Sequence, residues 1–200
     1  MNLDVQITFL RELDKLKAVI RQTILVDGSR KENTAEHSWH VAIAALILSE
    51  YADEPVDVLR VVKMLLVHDI VEIDAGDTFA FDEVGYEDKE EREQQAAERI
   101  FGLLSNGQGD ELKALWYEFE AGESADAKFA IAIDRLLPFL HNIWTEGGAS
   151  WKEHNPTFEQ VYQRNVEGVG NSSSALWDYV RQLLDQATEN KWLATQDKTL

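Results

Sequence analysis

Apolar residues recur at steps of three and four along almost the whole chain, and nowhere do they alternate with polar ones. Leu3, Ile7, Leu10, Leu13 and Leu16 set the pattern, and Leu59, Val62, Leu65 and Leu66 repeat it. This spacing gathers them on one face of a 3.6-residue helix, whereas a half-buried strand needs a period of two. The expectation is an all-α fold, one compact helical domain over residues 1–193 with a polar tail, 194–200, that frays. Two hundred residues suit a single domain, and six Trp, eight Phe and five Tyr supply bulky packing.

Local signals set the expected helix bounds. An amphipathic helix runs from Leu3 to Leu16, and residues 26–33 read as a polar loop. Asn33 followed by Glu36 resembles a capping box that opens a helix from Thr34 to about Tyr51. Pro55 suits the first turn of the next helix, which ends at His68-Asp69. Gly76 breaks the pattern, and residues 77–86 read as a loop over the site. Helices follow over 87–104 and 110–120. Ser124 caps another that carries Phe129, Ile133, Leu136 and Leu140, in which Pro138 is expected to produce a kink or an early end. Residues 151–158 read as loop, and helices near 158–166 and 174–187 complete the pattern.

Charge narrows the partners. Nineteen basic residues against 37 acidic ones leave a net charge of −18. Such a surface repels a phosphate backbone, whose binding depends on Lys and Arg, so long nucleic acid is not an expected partner. A small anion remains compatible, because a metal and one or two arginines reverse the field locally. With no cysteine there is no disulfide and no thiolate metal site. No basic-then-apolar leader and no apolar run of about 20 residues is visible, so the expectation is a cytoplasmic protein without a membrane span.

The chemistry gathers where the apolar run Val61–Val67 ends in His68-Asp69. An imidazole and a carboxylate there are costly to bury without a partner. Each candidate has an ordinary alternative. His37 and His40 share a helical face and suit packing, His68 suits a helix C-terminus, and Asp134 suits an ion pair with Arg135. Together, His37, His68, Asp69 and Asp134 come from three helices, each beside residues that should face the core. Two imidazoles and two carboxylates suit zinc, iron, cobalt, nickel or manganese. Glu72, Asp74 and Asp77 follow at once, and so many acids near Asp69 would repel one another without a cation.

The arrangement His37 … His68-Asp69 … Asp134 resembles the HD-domain superfamily of metal-dependent phosphohydrolases. Arg21, the loop through Arg30, Glu32-Asn33, Glu36-His37-Ser38 and His68-Asp69-x-x-Glu72-x-x-x-Gly76-Asp77 are similar to its 5′-deoxynucleotidase branch, and the likeness covers roughly residues 3–140. The resemblance implies that His37, His68, Asp69 and Asp134 hold a divalent metal (Mn, Co, Zn, Ni, Fe or Mg). It also implies that Glu72 and Asp77 act near the scissile phosphate, that Arg21 contacts the nucleotide phosphate, and that the protein is a homodimer. Gln22 stands where the best-known bacterial members carry a tryptophan beside the nucleotide, which bears on base and sugar preference.

The residues agree with that chemistry. Arg21 offers phosphate a forked donor, with Arg30 and Lys31 as second candidates. Glu72, one turn past His68-Asp69, is placed to act as a general base. Asp77, after Gly76, is placed to protonate the leaving oxygen or to orient the sugar. The expected function is hydrolysis of (deoxy)nucleoside 5′-monophosphates to nucleoside and phosphate. The alternatives are a phosphohydrolase for another small phosphorylated metabolite and a non-catalytic helical binding module stapled by its metal.

Overall fold

The computed structural model describes residues 2–105 and 107–194. Helices dominate: α1 (Asn2–Leu13), α2 (Thr34–Leu48), α3 (Val58–Val67), α4 (Glu72–Ala75), α5 (Glu83–Tyr86), α6 (Lys89–Phe101), α7 (Gln108–Ala121), α8 (Ala125–Trp144), α9 (Ala149–His154), α10 (Phe158–Asn165) and α11 (Ser174–Glu189). Two short antiparallel strands, β1 (Ile20–Ile24) and β2 (Lys31–Asn33), form a ribbon ahead of α2. The fold class is all-α as expected. The ribbon departs from the expected loop because Leu25 N–H bonds the Arg30 carbonyl at 2.9 Å and Gly28, at φ 71°, turns the chain between the strands.

Helix starts follow the side-chain signals. The Asn33 side chain accepts from the Glu36 N–H while the Glu36 carboxylate accepts from the Asn33 N–H, so the capping box is formed. α2 ends at Leu48 and continues as a 3₁₀ turn to Tyr51. α3 begins later than Pro55 suggests, because Asp57 is the cap and accepts from the N–H groups of Leu59 and Arg60. Pro138 does not break α8, which runs on to Trp144. A proline there forfeits only the hydrogen bond to the carbonyl four residues back, that of Asp134. Residues 151–158 were expected as loop, yet α9 covers 149–154, anchored by the Trp151 N–H on the Asn142 side chain at 3.1 Å.

The apolar face expected of α1 also differs. Leu3, Ile7 and Leu10 lie exposed, and Phe9 and Leu16 are the buried residues of this segment. α1 stops at Leu13 and a 3₁₀ stretch over 14–18 resets the facing. Of the polar tail, Ala194 is held by the Pro156 carbonyl at 2.9 Å, and residues 195–200 lie outside the described residues.

Two apolar clusters pack the molecule. The larger joins α2, α3, α8, α10 and α11 around Val41, Leu65, Phe129, Ile133 and Leu184. The smaller joins α1, α6 and the end of α3 around Phe9, Val71, Ile100 and Phe101. Val67 belongs to the smaller cluster and Met64 to the larger, so His68 emerges where the two cores meet. Among the described residues no helix is long and apolar enough to cross a membrane.

Candidate metal centre and its clefts

Three elements bring the sequence candidates together. His37 lies on the first turn of α2, His68 and Asp69 follow α3, and Asp134 lies midway along α8. One donor atom each of His37, His68 and Asp69 lies within 4.8 Å of the others. Asp134 joins them, with Oδ1 2.9 Å from His37 Nε2 and 3.4 Å from His68 Nε2. Asp134 therefore faces the two histidines and not Arg135.

The tautomer of His68 follows from its neighbour. Its Nδ1 is 2.9 Å from the Leu65 carbonyl, which can only accept, so Nδ1 carries the proton and Nε2 presents a lone pair. That Nε2 is buried and makes no hydrogen bond, although Asp69 Oδ1 lies 3.1 Å away. An orphaned imidazole nitrogen facing two carboxylates is what a cation-binding donor set offers. That nitrogen attracts positive charge, a proton when no cation is bound: burial opposes it, but Asp69 and Asp134 draw the His68 pKa well above the usual imidazole value. Burial likewise pushes Asp69 up, yet His68 and Arg21 bring it down to about 2. Asp134 is also held well below the usual range, by His37 and His68 against the cost of burial. The spot demands positive charge, and two imidazoles with two carboxylates fit a divalent cation.

The remaining acids surround Arg21. This guanidinium bonds Asp69 Oδ2 at 2.7 Å and lies 3.7 Å from both Glu72 and Asp77. On its other side Glu32 lies 3.8 Å away and also faces His37 Nδ1 at 3.7 Å. Glu72 is buried and accepts from the Thr34 hydroxyl at 2.9 Å. Burial, then Asp69, pushes its pKa well up. Asp77 is raised too, chiefly by burial. Arg30 and Lys31 are turned away from this cluster. Arg30 is exposed and forks onto Glu36, and Lys31 bonds Gln22 and Glu153.

Two clefts meet at this centre. One is lined by His68, Asp69, Glu72 and Asp134. The other has apolar walls from Phe79, Phe81, Pro138, Phe139 and Trp151. Arg21, Asp77, Thr78, Arg135 and Arg164 line both. Sequence reasoning did not reach Arg164 or Asn165, which sit on the polar helix α10 with no signature of their own. Thr34 was readable only as the first residue of α2, and Glu32 only as part of the motif ahead of it. The other histidines serve packing: His141 Nδ1 donates to the Ile24 carbonyl at 3.0 Å, His40 lies against Trp39 and His141, and His154 stacks on Phe79.

Comparison with known proteins gives the family. The family model for the HD domain matches residues 13–177. A crystal structure of a predicted metal-dependent phosphohydrolase from Magnetospirillum magnetotacticum MS-1 superposes with a TM-score of 0.87 at 53% identity, covering 97% of this chain and 99% of that one. Human 5′-deoxynucleotidase HDDC2 is 33% identical over 164 residues, 82% of this chain and 77% of the human protein. The bovine 5′-deoxynucleotidase HDDC2 is 35% identical over 133 residues, 66% of this chain and 63% of its own. The chain belongs to the HD-domain family of metal-dependent phosphohydrolases.

Proposed function

We propose that this protein hydrolyses nucleoside 5′-monophosphates, 2′-deoxynucleotides among them, to nucleoside and inorganic phosphate. The observation that carries the reading is the shared wall of the two clefts. A phosphate set beside His37, His68, Asp69 and Asp134 directs its esterified group past Asp77 and Thr78 into the aromatic cavity. Its apolar walls with a few polar groups are the rule for small-molecule sites. Asn165, buried beside this cavity, donates through Nδ2 to the Val161 carbonyl. The relatives described as 5′-deoxynucleotidases support the same substrate class.

His37, His68, Asp69 and Asp134 would hold the cation. When bound, a divalent metal polarises a phosphoryl oxygen and eases ionisation of water. Glu72, oriented by Thr34 and made more basic by burial, takes the proton of the attacking water. Asp77, on the wall between the two clefts, gives a proton to the departing 5′ oxygen as the P–O bond breaks. Arg21 keeps these acids in register through its contacts with Asp69, Glu72 and Asp77, and it offers its fork to the phosphate.

A phosphate-release screen of the purified protein tests the reading. It spans deoxy- and ribonucleoside monophosphates and sugar phosphates, with manganese, cobalt, zinc, nickel and magnesium in turn. Preferential release from nucleoside 5′-monophosphates is the expected result. Preference for a sugar phosphate would sink the substrate assignment, and no release from any substrate would leave a binding module.

The proposal includes assembly as a homodimer. Between Glu36 and Glu50 the sequence has no charged residue, yet Trp39, Leu46 and Ile47 on α2 are more than half exposed. In a chain of net charge −18 such a face suits a second copy of itself, since large apolar patches mark interfaces. Light scattering should give twice the chain mass for the wild type and the single-chain mass for Ile47→Asp. A monomeric wild type would refute the dimer.

A further inference from the structure

Arg21 is shared among Asp69, Glu72, Asp77 and Glu32, so much of its charge is offset before a phosphate arrives. Arg135 on α8 and Arg164 on α10 are both half-buried and line both clefts where they join. Arg135 donates to the Arg164 carbonyl at 3.2 Å. Neither arginine forms an ion pair with a carboxylate among the described residues, and Arg135 feels Asp134 and Glu167 only at a distance. Two adjacent guanidiniums without carboxylates, in a chain with nearly twice as many acids as bases, are an arrangement that an anion stabilises.

The backbone makes room for this pair. After α10 the chain continues as a π turn, Val166–Gly170, a form often found at functional sites. Gly168 in that turn passes so close to Arg135 that a Cβ there would overlap Arg135 Cδ. The turn therefore fixes where the Arg135 side chain runs, and Arg164 lies just ahead of the same turn.

We propose that Arg135 and Arg164 form a phosphate clamp, which binds the substrate's phosphoryl oxygens from the side opposite the His/Asp cluster. The proposal deepens the phosphomonoesterase reading and rests on it for the identity of the substrate, though not for the anion chemistry. Guanidinium pairs suit tetrahedral oxyanions because each offers two parallel N–H donors.

Calorimetric titration of the metal-loaded protein with inorganic phosphate tests it directly, alongside steady-state kinetics on a deoxynucleoside monophosphate. Arg164→Met should weaken phosphate binding and raise KM in parallel, each by about 10–100-fold, the range for a charged hydrogen bond. Metal content and melting temperature should stay put, and Arg164→Lys should recover part of the loss. Gly168→Ala, which keeps both guanidinium groups in the chain but displaces the Arg135 side chain, should weaken phosphate binding by a smaller factor. A raised KM with unchanged phosphate affinity would place the arginines against sugar or base and overturn the clamp. Unchanged values for both, or a wild type that binds no phosphate, would overturn it too. If the wild type hydrolyses a different phosphomonoester, the nucleotide reading falls while the phosphate titration still judges the clamp.

Discussion

Asp69→Ala is expected to strip the protein of bound metal and of hydrolysis together. Asp69 Oδ1 faces His68 Nε2 at 3.1 Å and its Oδ2 accepts from Arg21 at 2.7 Å, so in the proposed site the one carboxylate both holds the cation and anchors the central arginine. Losing it removes one of two anionic donors and leaves His68 and Arg21 short of their nearest counter-charge. A bound metal contributes several kcal/mol to a transition state of this kind, and about 4 kcal/mol corresponds to roughly a thousandfold in rate. Plasma emission should find the variant at background metal content. The wild type should also answer a chelator in its melting curve. A ligand at one hundred times its dissociation constant stabilises by about 2.7 kcal/mol, and in a chain of this size that moves Tm by about 5–10 °C. The variant should show no such shift. Unchanged metal content in Asp69→Ala would remove this residue from the ligand set.

How much of this was legible in the sequence depended on whether the signal was local. The capping box at Asn33 and Glu36 and the cap at Ser124 formed as read, because a side chain and a backbone N–H three residues away need nothing else. The gathering of His37, His68, Asp69 and Asp134 was legible for a different reason. Each is a polar residue placed on an apolar helical face, so burying the faces necessarily brings the polar groups inward. What failed to show depends on tertiary context. The first apolar face was legible only in part: Leu16 is buried as its spacing suggests, but Leu3, Ile7 and Leu10 share that spacing and lie exposed, because α1 stops at Leu13 and buries Phe9 instead. The β1–β2 ribbon is too short for its period to stand out. Arg164 and Asn165 sit among polar residues, and only the packing of α10 on α8 carries them to the cleft. Arg30 and Lys31 carried the right charge for phosphate, but Glu36, Gln22 and Glu153 hold them elsewhere.

Glu72→Gln separates proton transfer from metal binding, and it should slow turnover by about 10²–10⁴-fold. The amide keeps the size of the carboxylate and can still accept from the Thr34 hydroxyl, so the fold and the nearby donors are preserved. What it loses is the ability to take a proton from water. Metal content should therefore match the wild type, which distinguishes this variant from Asp69→Ala. The division of labour with Asp77 is testable by changing the leaving group. An aryl phosphate such as p-nitrophenyl phosphate departs as a stable phenolate and needs no proton, whereas a 5′ alkoxide does. Glu72→Gln should be slow on both substrates, because both need an activated water. Asp77→Asn should be slow on the nucleotide and recover much of the wild-type rate on the aryl ester. If instead Glu72→Gln recovers on the aryl ester and Asp77→Asn does not, the two carboxyl groups exchange roles. A fully active Glu72→Gln would remove Glu72 from the reaction and leave Asp77, on the wall common to both clefts, as the group that handles the proton.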